Sequence, residues 1–554
     1  MNVLEDNMKI AAILRDHGGI VARGKLKHSY PHSWRSKAPL IFRNTAQWFI
    51  SMETNELRKT ALQAIDDTRF VPASGQTRLR GMIEGRPDWC ISRQRAWGVP
   101  IPVFVSKKTG EPLRDQAVLD RIAAAFEAEG ADAWFASPPS RFLGNDYNPD
   151  DYEQVQDICD VWFDSGSTHA FVLENDPELQ WPASLYLEGS DQHRGWFHSS
   201  LLESCGTRGR APYDAVLTHG FVLDQDGRKM SKSLGNVTAP QEVMDQYGAD
   251  ILRLWVVSSD YSEDLRIGPD IIKHQVDHYR RLRNTMRYLL GALDGYTDAE
   301  KLPVERMPEL ERWVLHRIAE LDEIVRRCTD DFDFHTLFTQ IHQFCAVDLS
   351  AFYFDVRKDS LYCDRPDSER RRAARTVMAQ LFDCLTAWLA PILCFTAEEA
   401  WRTRNTGAAD SVHLREYPAV PAGWRDEALA AKWAKIRQLR RVVTGALELE
   451  RAEKRIGASL QAHPTVYAGA DLLAGMEGID PAEVFITSGA TLVEGDGPAD
   501  AYRLPEVAGV AVVSALADGA KCERCWRVLP EVAVGEPVCD RCDDAVAAGR
   551  DAAE

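Results

Sequence analysis

The sequence has no long apolar run. None of its 554 residues falls in a stretch approaching the roughly 20 apolar residues that a bilayer-spanning helix needs, so we expect no membrane partner. The start, Met1-Asn2-Val3-Leu4-Glu5-Asp6, lacks the basic segment and apolar run of a signal peptide. Basic residues are also not in surplus, because the formal net charge is −19. A uniformly basic nucleic-acid binder is therefore excluded, whereas local basic patches on an acidic body are not.

Over most of its length the sequence also lacks paired cysteines. Eight of the 12 cysteines stand singly between Cys90 and Cys394, which suits a reducing compartment and indicates a cytoplasmic location. The other four form two Cys-x-x-Cys pairs with thirteen residues between them: Cys522, Cys525, Cys539 and Cys542. Each pair can grip one ion with two thiolates, so together they predict one structural Zn²⁺ site with four cysteine ligands. Disulfide bonds are the alternative.

The pattern of apolar residues changes along the chain. Residues 151–270 alternate strand-like and helix-like pieces, which predicts a parallel α/β sheet. From about residue 271, apolar residues recur at helical spacing and predict a helical bundle. Pro391 should end one of these helices, and Thr396 and Glu399 have the spacing of a capping box for the next. The apolar positions are Leu310, Val314, Ile318, Leu321 and Val325, then Val377, Leu381, Leu385, Trp388 and Leu389.

A lysine- and serine-rich turn follows two apolar, strand-like segments, 215–217 and 220–223. It runs from Asp226 to Asn236 and contains two lysines and two serines flanked by glycines. Such a loop can close over a polyphosphate, because ammonium groups and N–H donors meet negative charge there. The alternative is a solvated basic turn.

The same turn resembles the ATP-binding signature of class I aminoacyl-tRNA synthetases. Lys229-Met230-Ser231-Lys232-Ser233, with Gly235-Asn236 just after it, matches that signature residue for residue. The resemblance implies that these five residues bind ATP, which is used with Mg²⁺, and that Lys229 and Lys232 are catalytic. We expect Lys232 to contribute more to the activation step.

Two neighbouring segments, 160–167 and 186–196, resemble the nucleotide-binding sheet of the same family. Polar residues follow an apolar strand in each, where ligands of open α/β sheets bind. The resemblance implies that Glu188 contacts the aminoacyl-adenylate, and that Asp191 and Gln192 hold its ribose and ammonium group. Trp162 and Trp196 would wall the amino-acid pocket, with plain core packing as their alternative. The expected adenylate-binding residues are Glu188, Gly189, Asp191, Gln192, Trp196, Trp162 and His219.

Two further segments resemble the subgroup of this family that activates isoleucine, valine and leucine. They are 89–102, whose ending Gly-Val-Pro-Ile-Pro fits the isoleucyl branch better than the valyl one, and 28–35 with Trp48-Phe49. The resemblance to isoleucyl-tRNA synthetases implies ATP-dependent ligation of isoleucine to its tRNA through an isoleucyl-adenylate. A non-catalytic tRNA-binding fragment and a valyl- or leucyl-tRNA ligase are the alternatives. The expected partners are tRNA(Ile), isoleucine and ATP, and we expect a monomer.

Basic residues cluster after the predicted sheet. Four arginines lie within 279–287, and a second run contains Lys432, Lys435, Arg437, Arg440 and Arg441. Together they resemble the helical anticodon-binding domain of the family, although a solvated helix face is the alternative for each. The cysteine pairs are surrounded by basic residues that suggest an RNA-facing role, again with solvated charge as the alternative: Lys521, Arg524, Arg527 and Arg541.

The His-x-Gly-His signature of class I synthetases does not occur among the 14 histidines. We therefore expect a C-terminal portion of the family's length, without the half of the sheet that carries this signature and without the editing domain, and inactive alone. The predicted fold class is α/β plus all-α: the second half of a class I Rossmann-type catalytic sheet, a helical anticodon-binding bundle and a small C-terminal four-cysteine zinc domain.

The resemblance also predicts how these parts divide the chain. The predicted domains are 1–55, the end of the editing-domain insertion returning to the core; 56–150, a connective segment of the catalytic region; 151–270, the Rossmann-type sheet with the lysine loop; 271–420, the anticodon-binding domain; 421–517, a basic helix and small mixed junction domain; and 518–554, the zinc-binding tail.

Overall fold

A computed structural model describes residues 7–33, 36–407, 410–532 and 537–551. Trp34 and Arg35, which belong to the segment compared with the return from an editing domain, lie outside the described residues. The chain divides into two compact units. The first contains Met1–Tyr186 and Asp191–Val216, and the second contains Leu187–Ser190 and Leu217–Glu554. Among the described helices, none combines the length and apolar character needed to cross a bilayer.

The first unit combines short helices with short strand pairs. Strands β1 and β3, β4 and β7, and β5 and β6 pair antiparallel. A separate three-stranded sheet has the order β2–β9–β8. The helices are α1 Asn7–Asp16, α2 Leu57–Asp67, α3 Ser74–Glu84, α4 Gln116–Glu129, α5 Ala133–Ala136, α6 Pro139–Leu143, α7 Val161–Gly166 and α8 Trp196–Arg208. The strands are β1 Phe49–Ile50, β2 Arg69–Val71, β3 Trp89–Cys90, β4 Ser92–Arg93, β5 Phe104–Ser106, β6 Tyr152–Gln154, β7 Ile158–Cys159, β8 Tyr186–Gly189 and β9 Ala215–His219.

The second unit is mainly helical. Strands β10 and β11 pair in parallel, β12 lies between β13 and β14 in a mixed sheet, and β15 and β16 form an antiparallel pair. Its helices are α9 Pro240–Tyr247, α10 Ala249–Ser258, α11 Pro269–Ala292, α12 Glu309–Asp330, α13 Phe334–Gln343, α14 Phe354–Cys363, α15 Glu369–Leu389, α16 Cys394–Arg404, α17 Glu427–Ala452, α18 Ala470–Ala474, α19 Pro481–Phe485 and α20 Asp540–Asp551. Its strands are β10 Val222–Asp224, β11 Leu265–Ile267, β12 Thr465–Ala468, β13 Thr491–Glu494, β14 Val510–Val513, β15 Ala520–Lys521 and β16 Val528–Leu529.

The bundle core contains the residues that the helical spacing predicted. Every predicted apolar position in α12 and α15 is buried, from Leu310 to Val325 and from Val377 to Leu389. Helix α15 ends at Leu389, before Pro391, as expected from the missing proline N–H. A π-helical stretch, Phe344–Tyr353, joins α13 to α14. The α/β and all-α parts of the predicted fold class are both present.

The predicted capping box at Thr396 is wrong. Helix α16 already begins at Cys394, and Thr396 lies inside its first turn. The carboxylate of Asp250 takes the place of a local cap, because it accepts hydrogen bonds from the amides of Phe395 (3.3 Å) and Thr396 (2.9 Å). A tertiary partner therefore satisfies the amide groups that a capping box would otherwise satisfy.

Helix α14 is joined to α12 and α19 by a buried ion pair. Arg357 donates from Nε and Nη2 to the two carboxylate oxygens of Glu311, both at 2.6 Å, and from Nη1 to Glu483, also at 2.6 Å. The Tyr353 hydroxyl donates to the same Glu311 carboxylate at 3.2 Å. Arg357 is 2% exposed and Glu311 is fully buried. The bidentate geometry compensates both charges where water does not reach them.

Candidate functional site

The lysine loop is organised by one aspartate, Asp224, at the end of β10. Its Oδ1 accepts the amides of Asp226 (3.0 Å) and Arg228 (2.8 Å), and its Oδ2 accepts Nε of Arg228 (3.0 Å) and Nδ2 of Asn236 (2.8 Å). The hydrogen bond from Asn236, with those from Arg228, lowers the pKa of Asp224 to about 2. The loop therefore closes on a carboxylate that stays ionised. Sequence reasoning did not single out this residue, although its place directly before Gln225-Asp226-Gly227 is typical of such a turn.

Asn236 fixes the other end of the loop. Its Oδ1 accepts the amide of Ser231 at 2.9 Å, and its Nδ2 donates to the carbonyl of Lys229 at 3.3 Å. The hydroxyls of Ser231 and Ser233 lie 3.1 Å apart. Gly227, with φ of 81°, supplies the left-handed conformation that the turn requires. The backbone is thus held without help from either lysine side chain.

Both loop lysines are exposed, and neither makes an ion pair or hydrogen bond through its side chain with another described residue. Met230 between them packs against an apolar cluster that includes Val243, Ile251 and Trp255. The loop consequently presents two uncompensated ammonium groups on an anchored backbone. This arrangement suits the binding of an anion that arrives from solvent.

In the first unit, the structure brings Trp162, Gln192 and Trp196 together around Gly195. The amide of Trp162 donates to Asp160 at 3.2 Å, which caps α7. Gln192 accepts the amide of Trp196 at 3.0 Å through its Oε1. A Cβ atom at position 195 would overlap Gln192 Oε1 and lie 2.9 Å from the Trp162 ring, so a larger residue would require these side chains to shift. The predicted contact residues of this unit therefore form one cluster.

Trp196 is held by two further contacts. Its indole stacks on Tyr186 with ring centroids 4.0 Å apart and an interplanar angle of 8°, and its Nε1 donates to the Ser165 carbonyl at 2.9 Å. Trp162 is 42% exposed, so it is not a core residue in this structure. Gln192 donates to Asp191 at 3.2 Å. Trp196 is therefore held by packing and a hydrogen bond, whereas the side chain of Trp162 is partly exposed to solvent.

The remaining predicted contact residues lie on two strands. Glu188 and Gly189 end β8, where Glu188 is exposed and Gly189 is buried. His219 ends β9, is half-buried, and contacts the Gly220 carbonyl through Nδ1 at 2.8 Å. Gly220 donates its amide to Tyr261 at 2.9 Å and has no space for a side chain against the backbone of Glu263. Glu188, Gly189 and His219 thus lie at the carboxyl ends of their strands.

A buried carboxyl group, Glu203, packs behind α7 in the first unit. Glu203 is 8% exposed, and its Oε1 has no hydrogen-bond partner among the described residues. A side chain at Gly166 would overlap this carboxyl group, so α7 and α8 approach closely here. Burial, together with the nearby Asp164, raises the pKa of Glu203 to about 9. The group is therefore protonated at neutral pH. Sequence reasoning missed it because nothing in a local pattern marks an unpaired acid.

The four cysteines of the tail form one buried cluster. Their sulfur atoms all lie within 4.8 Å of one another, and Cys525 Sγ and Cys539 Sγ are 3.8 Å apart. In a tetrahedral site with Zn–S bonds of about 2.3 Å, the sulfur atoms lie roughly 3.8 Å from one another. No disulfide bond occurs among the described residues. The donor set and spacing therefore fit one Zn²⁺ with a closed ligand shell, which makes the metal structural rather than catalytic.

The arginines around this cluster, for which the sequence suggests an RNA-facing role, make hydrogen bonds within the protein, and the RNA-facing role stays a prediction. Arg524 donates to the carbonyls of Cys363 and Tyr362, the latter at 3.0 Å. Arg541 donates to both carboxylate oxygens of Asp359, one of them at 2.8 Å. Arg527 donates to the Thr487 carbonyl at 3.4 Å, and Lys521 lies 5.5 Å from the Trp526 ring centroid. The arginines dock the tail onto α14 and the segment after α19.

The two basic helices also differ from each other. All five predicted cations of α17 are paired: Lys432 with Glu309 at 2.9 Å, Lys435 with Asp471 at 2.6 Å, Arg437 with Asp348 at 2.7 Å, Arg440 with Asp355 at 3.1 Å and Arg441 with Glu506 at 4.0 Å. In α11, Arg280 pairs with Asp277 at 3.3 Å. Arg281, Arg283 and Arg287 are exposed and make no ion pair with other described residues. Among these helices, α11 offers the free cationic surface.

Models of three known protein families match successive segments of the chain. A family model described as tRNA synthetases class I (I, L, M and V) matches residues 7–268. A model described as anticodon-binding domain of tRNA ligase matches 311–466, and one described as the zinc finger found in FPG and IleRS matches 519–545. The last match, together with the clustered cysteines, confirms the predicted zinc site.

Curated relatives give the same picture at the level of whole sequences. The chain is similar to isoleucine–tRNA ligases of Mesorhizobium japonicum (58% identity, 95% of this chain and 54% of the relative) and Brucella abortus (59%, 93% and 53%). It is also similar to that of Caulobacter vibrioides (56%, 94% and 54%). The chain thus spans about half the length of the curated relatives it matches.

Proposed function

Because the chain belongs to the class I aminoacyl-tRNA synthetases, in their isoleucine branch, we propose that it serves the ATP-dependent ligation of isoleucine to tRNA(Ile) through an isoleucyl-adenylate. The observation that carries the proposal is the lysine loop, whose backbone is anchored by Asp224 and Asn236 while Lys229 and Lys232 stay unpaired. The matched relatives favour isoleucine over valine or leucine. The chain's unpaired cysteines agree with a cytoplasmic location.

In this proposal, the loop stabilises charge rather than creating a nucleophile. The isoleucine carboxylate is already a nucleophile when ionised, so attack on the α-phosphate of ATP needs no general base. Lys229 and Lys232 meet the charge that develops on the phosphates as pyrophosphate leaves, with Lys232 contributing more. Met230, Ser231 and Ser233 line the same ATP contact. Because the anchored backbone needs neither lysine, each ammonium group is available for the transition state.

The aromatic cluster of the first unit serves the amino-acid side of the reaction. Trp162 and Trp196 wall the isoleucine pocket, while Asp191 and Gln192 hold polar groups of the adenylate. Glu188, Gly189 and His219, which lie at the carboxyl ends of β8 and β9, contact the adenylate as well. A residue larger than Gly195 would shift Gln192 and Trp162 and so change the shape of this pocket. The wall of the pocket is therefore fixed at Trp196 by packing, whereas Trp162 is partly exposed to solvent.

For tRNA we propose the exposed face of α11, within the helical region that follows the sheet. Arg281, Arg283 and Arg287 are its free cations, and phosphate neutralisation by such groups makes binding fall with salt. The cations of α17 do not take this role, because carboxylates already pair them. The four-cysteine tail adds a docked, metal-stabilised element to the same unit. The chain would act as a monomer on one tRNA.

The experiment has two arms. Exchange of pyrophosphate with ATP is measured with isoleucine, valine or leucine, for this chain alone and together with the preceding part of a matched relative. We expect exchange that depends on isoleucine once both parts are present. Exchange that responds to valine or leucine instead would overturn the isoleucine assignment. In the second arm, tRNA(Ile) binding is measured as the salt concentration increases. Binding of tRNA(Ile) without pyrophosphate exchange under any condition would favour the alternative, a non-catalytic tRNA-binding fragment.

A further inference from the structure

A cavity of about 340 Å³ lies at the start of α8 in the first unit. Its lining includes three arginines, Arg86, Arg93 and Arg194, together with Asp160, Trp162 and His198. The proposed function uses only Trp162 among these residues. The cavity is polar and lies within one unit. Its arginines outnumber its carboxylates, so it favours an anionic ligand.

The acids of the cavity already have partners. Asp160 pairs with Arg93 and caps α7 through the Trp162 amide. Asp88, also in the lining, accepts the amide of Met52 at 2.9 Å. Arg86 and Arg194 are left over, because neither forms an ion pair with any residue in the described part of the chain. The lining therefore has three guanidinium groups and two carboxylates, an excess of one positive charge. Arg86 lies 5.6 Å from the Trp89 ring centroid, and its Nε is buried without a hydrogen-bond partner among the described residues.

His198 is a buried histidine whose pKa is affected by these arginines. It is 5% exposed, and its buried Nε2 finds no hydrogen-bond partner among the described residues. Burial, and then the nearby Arg86 and Arg194, lower the pKa of His198 to about 3. The ring is therefore neutral at physiological pH and keeps one N–H group to donate. A buried imidazole nitrogen without a hydrogen-bond partner is costly, and an acceptor bound beside it would remove that cost.

Helix α8 adds to the same polarity. It has 13 residues and begins at Trp196, next to Gly195, which lines the cavity and offers no side-chain cap. The start of a helix carries partial positive charge and favours anions. Gln192 accepts the Trp196 amide, so the helix start is only partly satisfied by the protein. The guanidinium groups, the imidazole and the helix start therefore all favour one kind of ligand.

We propose that this cavity is a phosphate-binding subsite, in which Arg86, Arg194 and the His198 N–H hold one phosphate group at the start of α8. The phosphate is either a backbone phosphate of a single-stranded RNA end or part of free pyrophosphate. Arg86 and Arg194 supply charge-assisted hydrogen bonds, and Arg93 stays with Asp160. This assignment does not depend on which amino acid is ligated.

The test uses the 554-residue chain, with inorganic pyrophosphate and a single-stranded RNA hexamer as separate probes in calorimetric titrations. Arg194→Gln changes an exposed residue and should leave the fold intact. We expect it to weaken at least one probe about fivefold or more. Arg78→Gln, which removes an exposed arginine of α3 with no ion pair among the described residues, is the matched control and should change neither affinity. A second variant, His198→Phe, removes the ring N–H at similar side-chain size and should weaken the same binding.

A spectroscopic readout separates this cavity from the lysine loop. An anion beside His198 should raise its pKa, which nitrogen-15 signals of labelled histidine detect, and Lys232→Ala should leave that response unchanged. Weakened RNA binding alone assigns the phosphate to an RNA strand, and weakened pyrophosphate binding alone assigns it to the free anion. Unchanged affinities in Arg194→Gln, with no response of His198 to either probe, would overturn the proposal. Absence of isoleucine-dependent exchange would leave it standing.

Discussion

Helix α17 and the lysine loop contain the same kinds of side chain and use them in opposite ways. In α17, each of the five basic residues singled out meets a carboxylate, as Lys435 meets Asp471 at 2.6 Å and Arg437 meets Asp348 at 2.7 Å. In the loop, hydrogen bonds to Asp224 and Asn236 hold the backbone, and Lys229 and Lys232 stay free. The comparison teaches that the number of cations in a segment does not indicate function. What matters is whether the fold has already neutralised them.

The largest expected effect concerns the most deeply paired cation, Arg357. Arg357→Ala leaves the fully buried Glu311 without its partner, and breaking such a pair costs about 3–5 kcal/mol of unfolding free energy. Denaturant unfolding of the second unit measures the loss. Lys358→Ala is the control, because its exposed pair with Asp355 on the same helix should contribute less than about 1 kcal/mol. Equal losses for the two variants would contradict the distinction between buried and surface pairs.

The second effect concerns the free cation Lys232. Lys232→Ala should lower the maximal rate of adenylate formation about 100- to 1,000-fold and barely change isoleucine affinity, because the contact forms mainly in the transition state. Pyrophosphate exchange by a protein with exchange activity that contains this region measures both. Lys435→Ala, the loss of a paired lysine in α17, should leave both unchanged. Weaker isoleucine binding at an unchanged rate would show that Lys232 has a different role.

The third effect tests the converse case, a buried acid that no cation pairs. The pKa of Glu203 is raised to about 9 from an ordinary 4.5, so the folded chain holds a proton that the unfolded chain releases. The unfolding free energy should therefore fall as pH rises between these values, by up to about 1.4 kcal/mol per pH unit. Glu203→Gln should remove this slope, and thermal unfolding between pH 5 and pH 9 detects the change.

Glu127→Gln is the matched control for that experiment. Glu127 is an exposed acid of α4 in the same unit, and its replacement should leave the pH slope as it is. A slope that persists in Glu203→Gln would mean that other groups cause it.

The smallest effect concerns RNA. Replacing both Arg283 and Arg287 by Gln should weaken tRNA binding about tenfold at low salt and reduce the slope of affinity against salt by about 2, one for each phosphate contact. Lys435→Ala with Arg441→Gln removes the same charge from α17 and should change binding less than about twofold. If the double substitution in α17 weakens tRNA binding as much as the double substitution in α11, then ion-paired and free cations contribute equally to RNA binding.

Periodicity and short motifs predicted much of this molecule. The helical spacing placed Leu310 to Val325 in one buried helix, and the cysteine spacing placed four thiols in one cluster. What the sequence did not predict depends on distant partners. Asp250 replaces the expected cap at Thr396 from 146 residues away, and Arg437 meets Asp348 across 89 residues. Local patterns contain no information about such pairs, so the hydrogen bonds of Arg524, Arg527 and Arg541 within the protein could not be predicted.

The docking of the tail also sets an order of events during synthesis. Arg541 pairs with Asp359 across 182 residues of chain. At the usual 5–20 residues per second, a ribosome needs about 10–35 s to make that interval. During this time α14 has been made, but Asp359 lacks its hydrogen bonds from Arg541, and the four thiols of the cluster are not all made. Assembly of this face is therefore late relative to α14, and a nascent chain should lack the contact at Asp359 until Arg541 has left the ribosome.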